Sequence, residues 1–236
     1  MRQARPAAVA ALGMLLLAGP VAARAGEAWL PLTLPPRTES TWVLREARVN
    51  GLPMQVLELH SQLPADELLA YFKRDWRRYS GSVVPLETEQ GNWRKLTLQQ
   101  DPVQVVVQVE KDGRGGSHAM LSQMNYRDVQ RDYVPRSLPT LSPLQVTQVS
   151  ETRDGPRRSW LVQFGGDASF EIIQQRLRQH WSRPGWRPVF DRSATGQQRQ
   201  WLASFEKDST SVDIVLTKAG AREPLALTLN LLESEP

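Results

Sequence analysis

The stretch DELLAYFKRDW at Asp66–Trp76 and its near-echo EIIQQRLRQHW at Glu171–Trp181 decide how this chain is read. In the first, Ala65, Leu68, Phe72 and Trp76 fall at i, i+3, i+7 and i+11, which draws one apolar stripe along a helix. Pro64 suits its first turn, Asp66 and Glu67 oppose the positive end of its dipole, and Arg77 and Arg78 oppose the negative end. In the second, Phe170, Ile173, Leu177 and Trp181 draw the same stripe, each 105 residues after its counterpart. Asp167 is the expected N-cap of that helix, and Pro184 and Gly185 stop it.

What flanks the helices repeats as well. TWVLREARV (41–49), the hairpin signal Asn50-Gly51 and MQVLELH (54–60) precede the first. NWRKLTL (92–98), VQVVVQV (103–109) and HAMLSQM (118–124) follow it, with Asp101-Pro102 and Asp112-Gly113 marking turns. The second helix is preceded by a strand at 144–150, the turn Asp154-Gly155-Pro156 and SWLVQF (159–164). It is followed by RQWLASF (199–205), VDIVLT (212–217) and LALTLNLL (225–232). Val105, Val107 and Val109 map onto Val212, Ile214 and Leu216 at a spacing of 107, and Met120 and Met124 onto Leu227 and Leu231 at the same spacing. The echo is therefore read as an internal duplication. The expected fold class is α+β: two tandem copies of a β-β-α-β-β-β module, each an antiparallel sheet with one helix across a face. The modules span 41–125 and 144–233. A Pro-rich extended arm covers 26–40, and a semi-rigid linker with Pro135, Pro139 and Pro143 covers 126–143. In outline this arrangement resembles the paired helix-on-sheet domains of periplasmic accessory subunits, such as the BamC component of barrel-assembly machinery.

The first 25 residues read as a cleaved signal peptide. MRQAR is a positive n-region, PAAVAALGMLLLAGPVA an apolar h-region, and Ala23-Arg24-Ala25 a small-residue cleavage site. The alternative, a retained anchor, is disfavoured by a short apolar run interrupted by Gly13 and Pro20. Export places the protein in the bacterial periplasm, and no Cys follows the h-region to carry lipid. No other run is long and apolar enough to span a membrane, so the mature chain is expected to lack a transmembrane span. The chain has no cysteine, so its cores alone must hold it together. The sequence pI of 9.7 invites a nucleic-acid partner. Residues 1–25, however, carry Arg2, Arg5 and Arg24 and no acid, so without them the net charge falls from +4 to +1. A chain so nearly neutral has no overall pull toward polyanions, and no nucleic-acid partner is expected.

Catalytic signatures are thin. His60, His118 and His180 lack helical metal-ligand spacing and read as three separate histidines, so neither a metal nor another cofactor is expected. No G-x-S-x-G elbow, nucleotide loop or calcium loop occurs. Gly165-Gly166-Asp167 at a helix start is read as steric rather than anion-binding.

Two features carry a binding expectation. Arginine and aromatic residues gather at both helix ends: Arg74, Arg77 and Arg78 in the first half, Arg178, Arg183 and Arg187 in the second. Trp29 and Trp186 stand outside the repeat and are candidate partner anchors. The expected function is a non-enzymatic periplasmic binding or assembly protein acting on envelope proteins, with 118–124 or 225–232 as an exposed edge for strand addition. The alternatives are a binder of anionic glycan or peptidoglycan through the Arg/Trp clusters, and a periplasmic enzyme with a site between the modules.

Overall fold

Alternating apolar and polar residues build twelve strands around two helices in the computed structural model, which describes residues 29–80, 86–194, 196, 198–220 and 222–234. The expected signal peptide and the first residues of the arm lie outside the described residues. The first half holds β1 (Thr38–Val49), β2 (Leu52–Ser61), α1 (Ala65–Ser80), β3 (Leu86–Gln90), β4 (Trp93–Gln100), β5 (Val103–Lys111) and β6 (Ser117–Asn125). The second holds β7 (Gln145–Asp154), β8 (Arg157–Gly166), α2 (Phe170–Trp181), β9 (Arg187–Ala194), β10 (Arg199–Lys207), β11 (Thr210–Lys218) and β12 (Leu225–Ser234).

The strands form one antiparallel sheet in the order β3-β4-β5-β6-β2-β1-β7-β8-β12-β11-β10-β9. This overturns the expected α+β fold of two β-β-α-β-β-β modules. The molecule is mostly antiparallel sheet with two helices, and the sheet does not stop at the boundary between the halves. The joint is short: Ala47, Arg48 and Val49 of β1 face Thr152, Glu151 and Ser150 of β7. The expectation also missed one strand per half, β3 and β9. These are the two edges of the sheet. The edges proposed from sequence, 118–124 and 225–232, are interior strands, since β6 lies between β5 and β2 and β12 between β11 and β8.

Register fixes which face each helix covers. Residues directly opposite in an antiparallel pair point to the same side, and side chains alternate along each strand. Leu57 and Leu59 pack against α1, so Pro53 on the same strand shares their side. Arg48 pairs with both Pro53 and Glu151, and Glu151 pairs with Trp160, which packs in the α2 core. Both helices therefore lie on one face of the sheet.

Beneath them sit two separate cores. The first joins the α1 stripe of Ala65, Leu68, Phe72 and Trp76 to Leu96, Val105, Val107 and Leu121. The second joins Phe170, Ile173, Leu177 and Trp181 to Trp201, Ile214, Leu227 and Leu229. The expected spacing of 107 is right for Val105 and Val212, both buried, but not for Met120 and Leu227. Ala119, not Met120, is the counterpart of Leu227, because Ala119 pairs with Leu59 and Leu227 with Phe164. The N-cap of α2 is Ser169, whose side chain accepts from the Ile172 amide, rather than Asp167.

The arm and the linker serve as lids of the same kind. Leu30, Leu32 and Leu34 pack on the first core, Tyr71 donates to the Leu34 carbonyl, and Tyr79 donates to the Pro31 carbonyl. Gln123, buried in the sheet, accepts from the Leu30 amide and donates to its carbonyl, both at 2.9 Å. The linker packs Tyr133, Leu138 and Leu141 on the second core, so it is docked along much of its length rather than suspended as a spacer.

Candidate functional site

The arginines expected to form a partner surface divide into tied and free groups. Arg178 of α2 reaches the edge strand: its Nε donates to Asp191 Oδ2 at 2.7 Å, and its terminal nitrogen donates to Oδ1 at 2.6 Å. Asp191 also accepts from Trp201 Nε1 at 2.7 Å. Arg178 and, secondarily, the Trp201 N–H hold the Asp191 carboxyl below its ordinary value, against the opposing effect of burial. The first half uses the same device with other residues. Lys73 of α1 pairs with Glu87 of β3, and Glu87 also accepts from Arg94. Hydrogen bonds from Lys73 and then Arg94 lower the Glu87 pKa. Each edge strand is thus tethered to its helix by one carboxylate. Arg178 is a tether in this sense and not a free binding group.

Arg78 pairs with Asp75, donates to Thr33 of the arm and lies over the Tyr79 ring at 4.9 Å. Arg187 pairs with Glu206 at 2.9 Å. Arg74, Arg77 and Arg183 are exposed, and Arg74 lines a shallow surface hollow with Tyr71, Asp75 and Arg78. Trp186 is half-buried on the second core, edge-on to Trp181 with ring centroids 6.4 Å apart, and Trp29 at the start of the arm is half-buried.

Arg183, Trp186 and Arg187 share one place: they lead into β9, and Arg187 is its first residue. Every residue of β9 is exposed, with Val189 at 54% and Phe190 at 42%. Pro188 pairs with Phe205 and Phe190 with Ser204, so Val189 is the extra residue of a bulge. The opposite edge, β3, is shorter and carries Glu87 and Glu89.

A second constellation was missed from sequence. His60 and His118 are not separate; they face each other across β2 and β6, their rings stacked with centroids 5.1 Å apart. Glu110 faces His118 from β5, and Glu58 lies two residues before His60 on the same face. His118 Nε2 is 2.9 Å from Glu58 Oε1, and its Nδ1 is 3.2 Å from Glu110 Oε1. His60 Nε2 is 3.5 Å from the same Glu58 oxygen. One ligating atom from each of Glu58, His60 and His118 falls within 4.8 Å of the others. All lie on the face without helices. The only usable signal was the row of polar residues on the outward positions of strands whose inward positions are apolar. The pairing of residue 60 with residue 118 depends on long-range register and has no local mark. His180 lies apart on α2, facing the Ser137 carbonyl at 3.0 Å, and burial pushes its pKa down.

No protein-family model matches the chain, and neither a curated protein nor a solved structure does. The outline resemblance to barrel-assembly accessory subunits rested on two separate modules and falls with them. Among the described residues, no helix is long and apolar enough to cross a membrane.

Proposed function

We propose that this chain is a non-enzymatic binding or assembly protein of the bacterial envelope, working in the periplasm, and that β9 receives an extended segment of a partner protein. The observation that carries this reading is the free edge of β9. From Phe190 to Ala194 it offers unpaired backbone groups on a sheet held rigid by eleven further strands. Phe190 supplies an apolar contact beside that edge, and Arg183 and Arg192 make its surroundings basic. The matching segment is extended, apolar at alternate positions and flanked by acids. Pro188 and the bulge at Val189 blunt the start of the strand, which sets the register of an incoming segment at Phe190. The N-terminal sequence supports export. The glycan alternative rests on the same arginines, of which Arg78, Arg178 and Arg187 are each paired with a carboxylate and Arg74, Arg77 and Arg183 are exposed.

A photo-crosslinking residue placed at Phe190 in the full chain, in native envelopes, tests the assignment. The expected result is one discrete protein adduct, lost when Arg192→Pro blocks the edge and absent when the probe sits at Thr88 on the opposite edge. Equal adducts from both edges, or an adduct untouched by Arg192→Pro in a chain that still folds, would overturn it.

A further inference from the structure

The two halves build the same strand frame, yet at one place their side chains part. His60 pairs with His118 as Gly165 pairs with Ala226, and Glu110 pairs with His118 as Thr217 pairs with Ala226. Glu58, two residues before His60, corresponds to Gln163. The second half forms this part of the sheet with Gln163, Gly165, Thr217 and Ala226, none of which is a usual metal ligand. The fold therefore does not require the histidines and carboxylates of the first half.

We infer that Glu58, His60 and His118 form a site for one divalent transition-metal ion of the zinc type, with Glu110 positioning His118. Two imidazole nitrogens and a carboxylate oxygen are a donor set that suits zinc and its neighbours, not calcium or magnesium, which take oxygen. Ligand atoms about 2.0–2.1 Å from a tetrahedral zinc stand roughly 3.3 Å from one another. The Glu58 oxygen lies 2.9 Å from His118 Nε2 and 3.5 Å from His60 Nε2, which brackets that spacing, and the three ligand atoms all fall within 4.8 Å of one another. Glu110 against Nδ1 is the carboxylate–histidine arrangement that turns the opposite nitrogen toward a metal.

The ligands sit on adjacent strands rather than loops, and Trp93 packs edge-on to His118 at 5.5 Å, which restrains its ring. His60 is 61% exposed, so a fourth position faces outward, toward water or a side chain of a bound protein.

The test is calorimetric titration of the chain with zinc chloride, paralleled by cobalt(II) absorption in the visible. One equivalent is expected, because the second half lacks the ligands, and the cobalt spectrum should show the strong bands of a four-coordinate ion. His118→Gln and Glu58→Gln should abolish binding, and Glu110→Gln should weaken it about 10-fold. His180→Gln should leave it unchanged. Circular dichroism establishes that each variant is folded; His60→Gln, at an exposed position, is the variant least exposed to a folding defect. Uptake unaltered in the His60→Gln, His118→Gln double variant, or no uptake by the folded wild-type chain, would overturn the site. Unaltered affinity in Glu110→Gln would overturn the positioning role.

Discussion

Asp191 shows how one side chain ties an edge strand, a helix and a core together. Its carboxylate accepts from Arg178 and from Trp201, whose indole is fully buried. Removing that acceptor strands a buried N–H, so Asp191→Ala should cost about 2 kcal/mol in urea unfolding at neutral pH. The pH dependence has a definite sign. The folded carboxyl titrates below its ordinary value of 3.8, so the unfolded chain takes up a proton more readily. The stabilisation is present above pH 3.8 and is lost as pH falls through the lower folded value. Asp191→Asn should lack this loss, and the gap between it and the wild type should narrow on acidification below pH 3.8. An unchanged gap would mean that the carboxylate charge is not what holds β9. Little of this was legible in the sequence. Arg178 stood out as basic near a helix C-terminus, but its partner lies 13 residues on in a strand with no alternating pattern.

At the scale of elements, the β1–β2 turn was legible and its larger role was not. Asn50 and Gly51 take positive φ, 50° and 79°, as a tight hairpin requires. The same two residues clasp the other half. The Asn50 amide donates to the Val149 carbonyl, the Val149 amide donates to Asn50 Oδ1, and the Gln130 amide of the linker donates to the Gly51 carbonyl. A Cβ at Gly51 would lie 2.1 Å from the Gln130 carbonyl oxygen. Gly51→Ala should therefore cost about 1–3 kcal/mol from backbone strain alone and push the linker off the turn. Hydrogen exchange should show faster exchange at the Gln130 amide, with β5 and β6 unchanged; unaltered protection there would mean that the turn does not hold the linker. Strands β3 and β9 escaped the sequence reading because each has one neighbour. LETEQ and RPVFDRSA carry no period of two, since an edge held by a carboxylate tether does not need an apolar stripe. The one-residue error at Met120 has an equally local cause. The β5–β6 loop spans 112–116 and the β11–β12 loop spans 219–224, so the second copy gains a residue there and a fixed spacing flips the face.

Across the whole molecule, the two helix stripes imply two cores, and two are present. Nothing local showed that one sheet runs through both, because the joint is only three residue pairs between strand ends, with Thr152, Glu151 and Ser150 on one side. Two cores bridged so narrowly should respond separately to damage. Leu177→Ala, at a fully buried position, should cost about 2–5 kcal/mol. Hydrogen exchange should then lose protection across β8, β10, β11 and β12 while β4, β5 and β6 keep theirs. Uniform loss across both halves would show that the narrow joint couples them fully.

That joint has a further property. Arg48 faces Pro53 and Arg153 faces Arg158, and Pro53 and Arg158 hold the same place in their halves, so Ala47 and Thr152 are equivalent positions set opposite each other. A local twofold axis passes between them. The pairs that form, Ala47–Val49 with Ser150–Thr152, run to one side of that axis and end in the Asn50–Val149 hydrogen bonds, so the joint uses half of what a twofold contact between two copies would use. The second half of another molecule carries the same Ser150–Thr152 segment and can offer Ala47–Val49 the same three pairs. If the Asn50–Gly51 clasp is opened, two chains can exchange halves through this strand pair without a single new type of contact.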